Sequence, residues 1–152
     1  EVYSSVEWPV IILLASVIPL GAALESNGTT EIIVQILRKY ALSMEPWLII
    51  AIIMIITMTL SDILNNTATT LVIAPISIQL AQTLNLNTDT FLMAVAVSAS
   101  CAFLTPIGHK NNTIILGPGG YRFGDYWRMG LVLEVLIIIT SIPLLLIFWP
   151  IN

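Results

Sequence analysis

The chain has 152 residues, of which 57% are hydrophobic and only 9% are charged, against about 25% charged in an ordinary soluble domain. It cannot keep a globular surface solvated, and it is too apolar to be disordered. Five Lys and Arg against nine Asp and Glu give a net charge of −4, with no basic cluster to meet phosphates, which excludes a nucleic-acid binder.

The composition therefore points to an all-α integral membrane protein. A helix uses about 20 residues per crossing, so the chain has room for at most roughly six or seven crossings. That is small for a complete solute carrier, and Glu1 in place of Met suggests a processed chain or a fragment. The single cysteine, Cys101, excludes an intrachain disulfide framework and a Cys-based metal cluster.

The first apolar run, 8–24, is charge-free and long enough for one transmembrane helix, with Pro19 as a kink and Trp8 as an interfacial anchor. Residues 30–43 differ. Glu31, Gln35, Arg38 and Lys39 form a polar stripe beside Ile32, Ile33, Ile36, Leu37 and Tyr40. Such a helix either lies in the membrane interface or packs on other protein, and both readings stand.

Two apolar arms follow, 46–60 and 71–84, separated by the polar stretch Ser61-Asp62-Ile63-Leu64-Asn65-Asn66-Thr67-Ala68-Thr69-Thr70. Each arm would span about 21–23 Å, short of a hydrocarbon core of about 30 Å. The expectation is a re-entrant helical hairpin over 46–84 with its tip near 61–70; two ordinary crossings with an external loop are the alternative.

The run 90–120 carries small residues suited to close helix packing. It is broken at 106–112 by Pro106-Ile107-Gly108-His109-Lys110-Asn111-Asn112, the pattern of a discontinuous transmembrane helix. Gly117-Pro118-Gly119-Gly120 ends it. The segment 121–129 is amphipathic, and 129–149 is the last transmembrane helix, bearing Glu134 and bracketed by Trp127 and Trp149. Arg122 and Arg128 favour that loop as the cytoplasmic one, although Arg38 and Lys39 compete.

Polar groups set in apolar surroundings are where function is expected in a membrane. In the first cluster, Asn65, Asn66 and Thr67 offer amide and hydroxyl oxygens to a hard monovalent cation, and N–H and O–H donors to an anion. Two half-helices ending at one spot would add backbone groups of both kinds. The second cluster holds His109, a lone histidine with no partner ligand, and Lys110, which must reach water or an anion. Asp62 beside the tip is a candidate proton carrier or cation ligand, unless the tip simply faces water. Nothing resembles a nucleophile elbow, and the chain is not expected to be an enzyme.

These clusters carry a resemblance. Residues 61–69 resemble the Ser-Asn-Thr hairpin-tip motif of the divalent anion:sodium symporter family, and 98–106 resemble the start of its discontinuous helix. Residues 108–113 with 117–126 look like its bacterial permeases that bear regulatory domains of the potassium-uptake type. The similarity covers nearly the whole chain, which looks like most of the second of two inverted repeats.

The resemblance implies a multi-pass carrier of the bacterial inner membrane. It would act as a homodimer, with no cofactor besides sodium as coupling ion, and would symport sulfate or a dicarboxylate by alternating access. Sodium would be held by the side chains of Ser61 and Asn66 and by the carbonyls of Leu64 and Gly108. The anion would meet Asn65, Asn66 and Thr67, with His109 and Lys110 adjoining.

Two positions depart from the motif. Asn65 stands where Ser is usual, and His109-Lys110-Asn111 replace the Thr-Pro-Pro of dicarboxylate carriers, a change by which Lys110 would suit an inorganic anion such as sulfate. Two rivals remain: a sodium/proton antiporter using Asp62, and a non-transporting scaffold glued by its polar residues. On any transport reading this chain needs a partner repeat and should not transport alone.

Overall fold

The computed structural model describes residues 26–151 together with Ile11, Ile12, Ala15, Ser16, Pro19 and Ala23. Eleven of the 17 residues of the expected first transmembrane helix, 8–24, lie outside the described residues. The remainder is helical: α1 (Thr29–Ala41), α2 (Pro46–Ile63), α3 (Asn66–Thr83), α4 (Thr88–Ala99), α5 (Lys110–Leu116) and α6 (Phe123–Phe148).

Helix α1 starts after Gly28, whose φ of +70° suits glycine. It buries Thr30, Val34 and Ala41 against the protein and leaves Ile32, Ile36 and Tyr40 exposed. Its polar stripe is split. Glu31 Oε1 accepts a hydrogen bond from Gln79 Nε2 of α3 at 3.0 Å, while Arg38 and Lys39 are exposed.

Helices α2 and α3 form a hairpin whose connection is only Leu64 and Asn65, both extended. Pro46 opens α2, where a missing N–H costs nothing. Each helix has 18 residues, about 27 Å of rise. The arms are thus longer than their apolar runs, because Ser61, Asp62 and Ile63 continue α2 and Asn66 to Thr70 begin α3. Ser61, Asp62 and Asn66 have tertiary hydrogen-bond partners that the hydropathy pattern does not carry.

Ile50, Met54 and Met58 of α2, Leu80 of α3 and Phe91, Ala94 and Val95 of α4 make the centre of the core. Helix α6 joins them through Leu145, and its end is fastened to the start of α4. Thr90 Oγ1 donates to the Trp149 carbonyl at 2.9 Å, and Asn87 Nδ2 donates to the Pro150 carbonyl at 2.8 Å.

Helix α6 begins at Phe123 rather than 129. The Arg122 N–H donates to Asp125 Oδ2 at 2.8 Å, so the charged segment becomes the first turns of the helix. With 26 residues it rises about 39 Å. It and α2 are long and apolar enough to cross a membrane. Leu131, Val132, Val135, Leu136, Ile139, Leu144 and Ile147 leave most of the α6 surface apolar and exposed.

Between α4 and α5 the chain is irregular from Ser100 to His109, so the interruption starts six residues before Pro106. It ends at Lys110, inside the segment expected to be broken.

Candidate functional site

The tip of the α2–α3 hairpin and the α4–α5 break meet. Ser61 is fully buried. Its hydroxyl lies 2.6 Å from the carbonyl of Ala99, the last residue of α4, and 3.0 Å from Asn66 Oδ1 in the first turn of α3. A hydroxyl has one proton to donate, so these three oxygens form a cluster richer in lone pairs than in hydrogens. That is what a hard cation needs. The Asn66 amide faces both ways, because its Nδ2 lies 3.4 Å from His109 Nδ1. That geometry suits the imidazole tautomer with its proton on Nε2.

Two further oxygens stand nearby in sequence. Among the described residues, neither the Leu64 nor the Gly108 carbonyl accepts a hydrogen bond, so both are available to a cation. Gly108 is forced to be glycine by space. A Cβ there would sit 2.9 Å from Ala102 Cβ and 3.0 Å from Asp62 Cα.

Asn65 Oδ1 caps α3 by accepting from the Ala68 N–H at 2.7 Å, and only its amide hydrogens remain for an anion. Ser and Asn are comparable N-caps, which accounts physically for Asn65 standing where the motif has Ser. Thr67 borders, with Asn66, Thr70 and Leu71, an open recess of about 370 Å³. Lys110 is exposed at the start of α5, immediately after His109. The structure therefore brings Ser61, Asn66 and His109 into contact, and leaves Asn65 and Lys110 at the rim.

Asp62 does not face water. It is 3% exposed, and its Oδ1 accepts the N–H groups of Leu104 at 3.0 Å and Thr105 at 3.3 Å. Thr105 Oγ1 donates to the Asp62 carbonyl at 2.8 Å, and the Gly108 N–H donates back to Thr105 Oγ1 at 3.1 Å. From the other side, Asn112 Nδ2 donates to the carbonyls of Ala102 and Thr105, and Thr113 Oγ1 donates to that of Pro106. Side chains thus take over the backbone partners that a continuous helix would supply.

Sequence reasoning missed Ala99, whose carbonyl carries no residue-type signal. Glu134 was visible as a lone acid in an apolar run, yet its partner was not.

The sequence has relatives over nearly its whole length. The family model described as the sodium:sulfate symporter transmembrane region matches residues 2–151. The chain belongs to that family. It is 37% identical over 152 residues to an uncharacterized transporter of Synechocystis, covering 100% of this chain and 25% of the relative. It is 30% identical over 148 residues to an uncharacterized transporter of Escherichia coli, covering 97% of this chain and 24% of that one. A sodium-dependent low-affinity dicarboxylate transporter of Caenorhabditis elegans is 30% identical over 134 residues, 88% of this chain and 23% of the worm protein. The chain spans about a quarter of the length of these curated relatives. Membership of the family and the apolar lengths of α2 and α6 together support a membrane protein.

Proposed function

We propose that the chain supplies one repeat of a sodium-coupled symporter for a divalent anion, working by alternating access. The observation that carries this reading is the convergence of Ser61 Oγ, Asn66 Oδ1 and the Ala99 carbonyl, in a family whose members include proteins named as sodium-dependent. Sodium sits at those oxygens, with the Leu64 and Gly108 carbonyls completing its shell. In this reading the α2–α3 hairpin is re-entrant and α4–α5 is a discontinuous crossing. The first repeat of the same transporter, inverted relative to this one, supplies the opposite wall, and the carrier is a homodimer in a bacterial inner membrane.

The anion lies against the start of α3. There the Asn66 and Thr67 N–H groups carry the positive end of the helix, beside the Asn65 amide, the Thr67 hydroxyl, His109 and Lys110. Sodium orders the tip by drawing Ser61 and Asn66 together, which aims these donors and makes the two ions bind cooperatively. Sulfate and a dicarboxylate share the chemistry required, two negative charges and several acceptor oxygens.

The test uses the full-length protein in liposomes, with radiolabelled sulfate and succinate offered with and without an inward sodium gradient. Sodium-dependent accumulation of either, abolished by Asn66→Ala, is the expected result. Equal uptake by Asn66→Ala and the parent, or no sodium dependence, would overturn the reading.

A further inference from the structure

Helix α6 takes no part in the sodium and anion contacts described above, yet Glu134 and Gly130 bring it against the break at Phe103. The Phe103 N–H points to Glu134 Oε1 at 3.5 Å. Four residues earlier on the same face, Gly130 lies under the Phe103 carbonyl, and a Cβ on Gly130 would collide with the Phe103 carbonyl group and come within 3.0 Å of the Leu104 nitrogen. Glu134 is 7% exposed in a helix that is otherwise apolar there. A buried acid at membrane depth is costly and is retained only where its oxygens are used.

The neighbouring N–H groups, of Leu104 and Thr105, go to Asp62 of α2. Three consecutive backbone donors of the break are therefore held by two acids from different helices. Phe103 stands between Ala99, whose carbonyl meets Ser61, and Gly108, which packs on Asp62.

We propose that Gly130 and Glu134 are positioning residues, which fix the path of the break so that the Ala99 and Gly108 carbonyls stay within reach of the hairpin tip. The proposal rests on the sodium reading above and adds a helix outside the site to the parts that set sodium affinity. What Glu134 supplies is an acceptor of the right length; Gly130 supplies the absence of a side chain. Glu134→Gln keeps the acceptor and the volume, Glu134→Leu keeps only the volume, and Gly130→Ala inserts the colliding methyl group.

The experiment is a sodium titration of the purified full-length protein in detergent. It is followed as thermal stabilisation, with choline chloride holding ionic strength constant and with Asn66→Ala alongside. Glu134→Leu and Gly130→Ala are expected to raise the half-maximal sodium concentration about fivefold or more, the effect of one lost buried hydrogen bond. Glu134→Gln should stay within about twofold of the parent. The melting temperature at saturating sodium, which a purely structural role would lower, should recover.

Half-maximal sodium unchanged in Glu134→Leu and Gly130→Ala, with Asn66→Ala defective, would overturn the positioning role and leave the sodium site standing. Glu134→Gln behaving like Glu134→Leu would also overturn it, since an acceptor would not then suffice. Should Glu134→Leu fail to fold, Gly130→Ala and Glu134→Gln decide alone by the same criteria. A parent with no specific response to sodium removes the reading on which the proposal stands.

Discussion

Ser61 Oγ and Asn66 Oδ1 lie 3.0 Å apart across the hairpin tip, one from the last turn of α2 and the other from the first turn of α3. Their separation depends on the two-residue connection, Leu64 and Asn65. The Ala99 carbonyl, 2.6 Å from the same hydroxyl, brings a third helix to the point. Ser61→Ala removes one oxygen and leaves the Ala99 carbonyl without its donor, at a cost of about 1–3 kcal/mol. The half-maximal sodium concentration for transport should rise about tenfold, since tenfold corresponds to about 1.4 kcal/mol. Anion affinity at saturating sodium should hold. Uptake measured across a sodium series in reconstituted full-length protein checks this.

Gly108 sets how closely the break approaches α2. Its missing Cβ would meet Ala102 Cβ at 2.9 Å and Asp62 Cα at 3.0 Å, and the second of these is backbone that cannot swing aside. Gly108→Ala should cost about 1–3 kcal/mol, as overpacking does. It should also push the Gly108 segment away from Asp62. The expected outcome is sodium-dependent uptake reduced about tenfold or more at normal membrane abundance. Abundance and uptake measured on the same vesicles separate the two effects.

Asn65 has a role that can be isolated from binding. Its Oδ1 accepts the Ala68 N–H at 2.7 Å, so Asn65→Ala uncaps α3 and should destabilise it by about 1 kcal/mol, whereas Asn65→Ser should be nearly neutral. Thermal melting of the two variants in the absence of anion gives the comparison. A loss of anion affinity in Asn65→Ser without a change in melting would assign the remaining amide hydrogens to the anion.

What could be read in advance divides along physical lines. The apolar arms, the polar tip and the last long helix follow from local composition, and each has its counterpart in α2, α3 and α6. The break was legible from Pro106 and Gly108 but was placed too late, because Ser100 to Thr105 contain no Pro or Gly to end a helix locally. Phe103, Leu104 and Thr105 leave the helix because Glu134 and Asp62 offer their N–H groups better partners, from 31 and 42 residues away. The surroundings of Asp62 are hidden for the same reason. An acid beside a polar tip can face water or protein, and only the loop that buries it decides which. Ala99 contributes only a carbonyl, which every residue has, so no pattern in one sequence could single it out.

Asp62 provides the sharpest separation between a structural acid and a proton carrier. Its Oδ1 holds the Leu104 and Thr105 N–H groups, and its Oδ2 is buried with no hydrogen-bond partner among the described residues. Asp62→Ala orphans two buried donors at about 1–3 kcal/mol each, so the break should loosen and sodium-dependent uptake should be lost. Asp62→Asn keeps an acceptor oxygen in place and gives up only the extra strength of a charged one. If the acid serves to hold the break, Asp62→Asn should retain uptake within about fivefold of the parent. If instead the carboxylate carries a proton through the cycle, Asp62→Asn should be as inactive as Asp62→Ala. Uptake by the three proteins at one pH, with and without sodium, tells these apart. The hydrogen bonds already made by Oδ1 lead us to expect activity in Asp62→Asn.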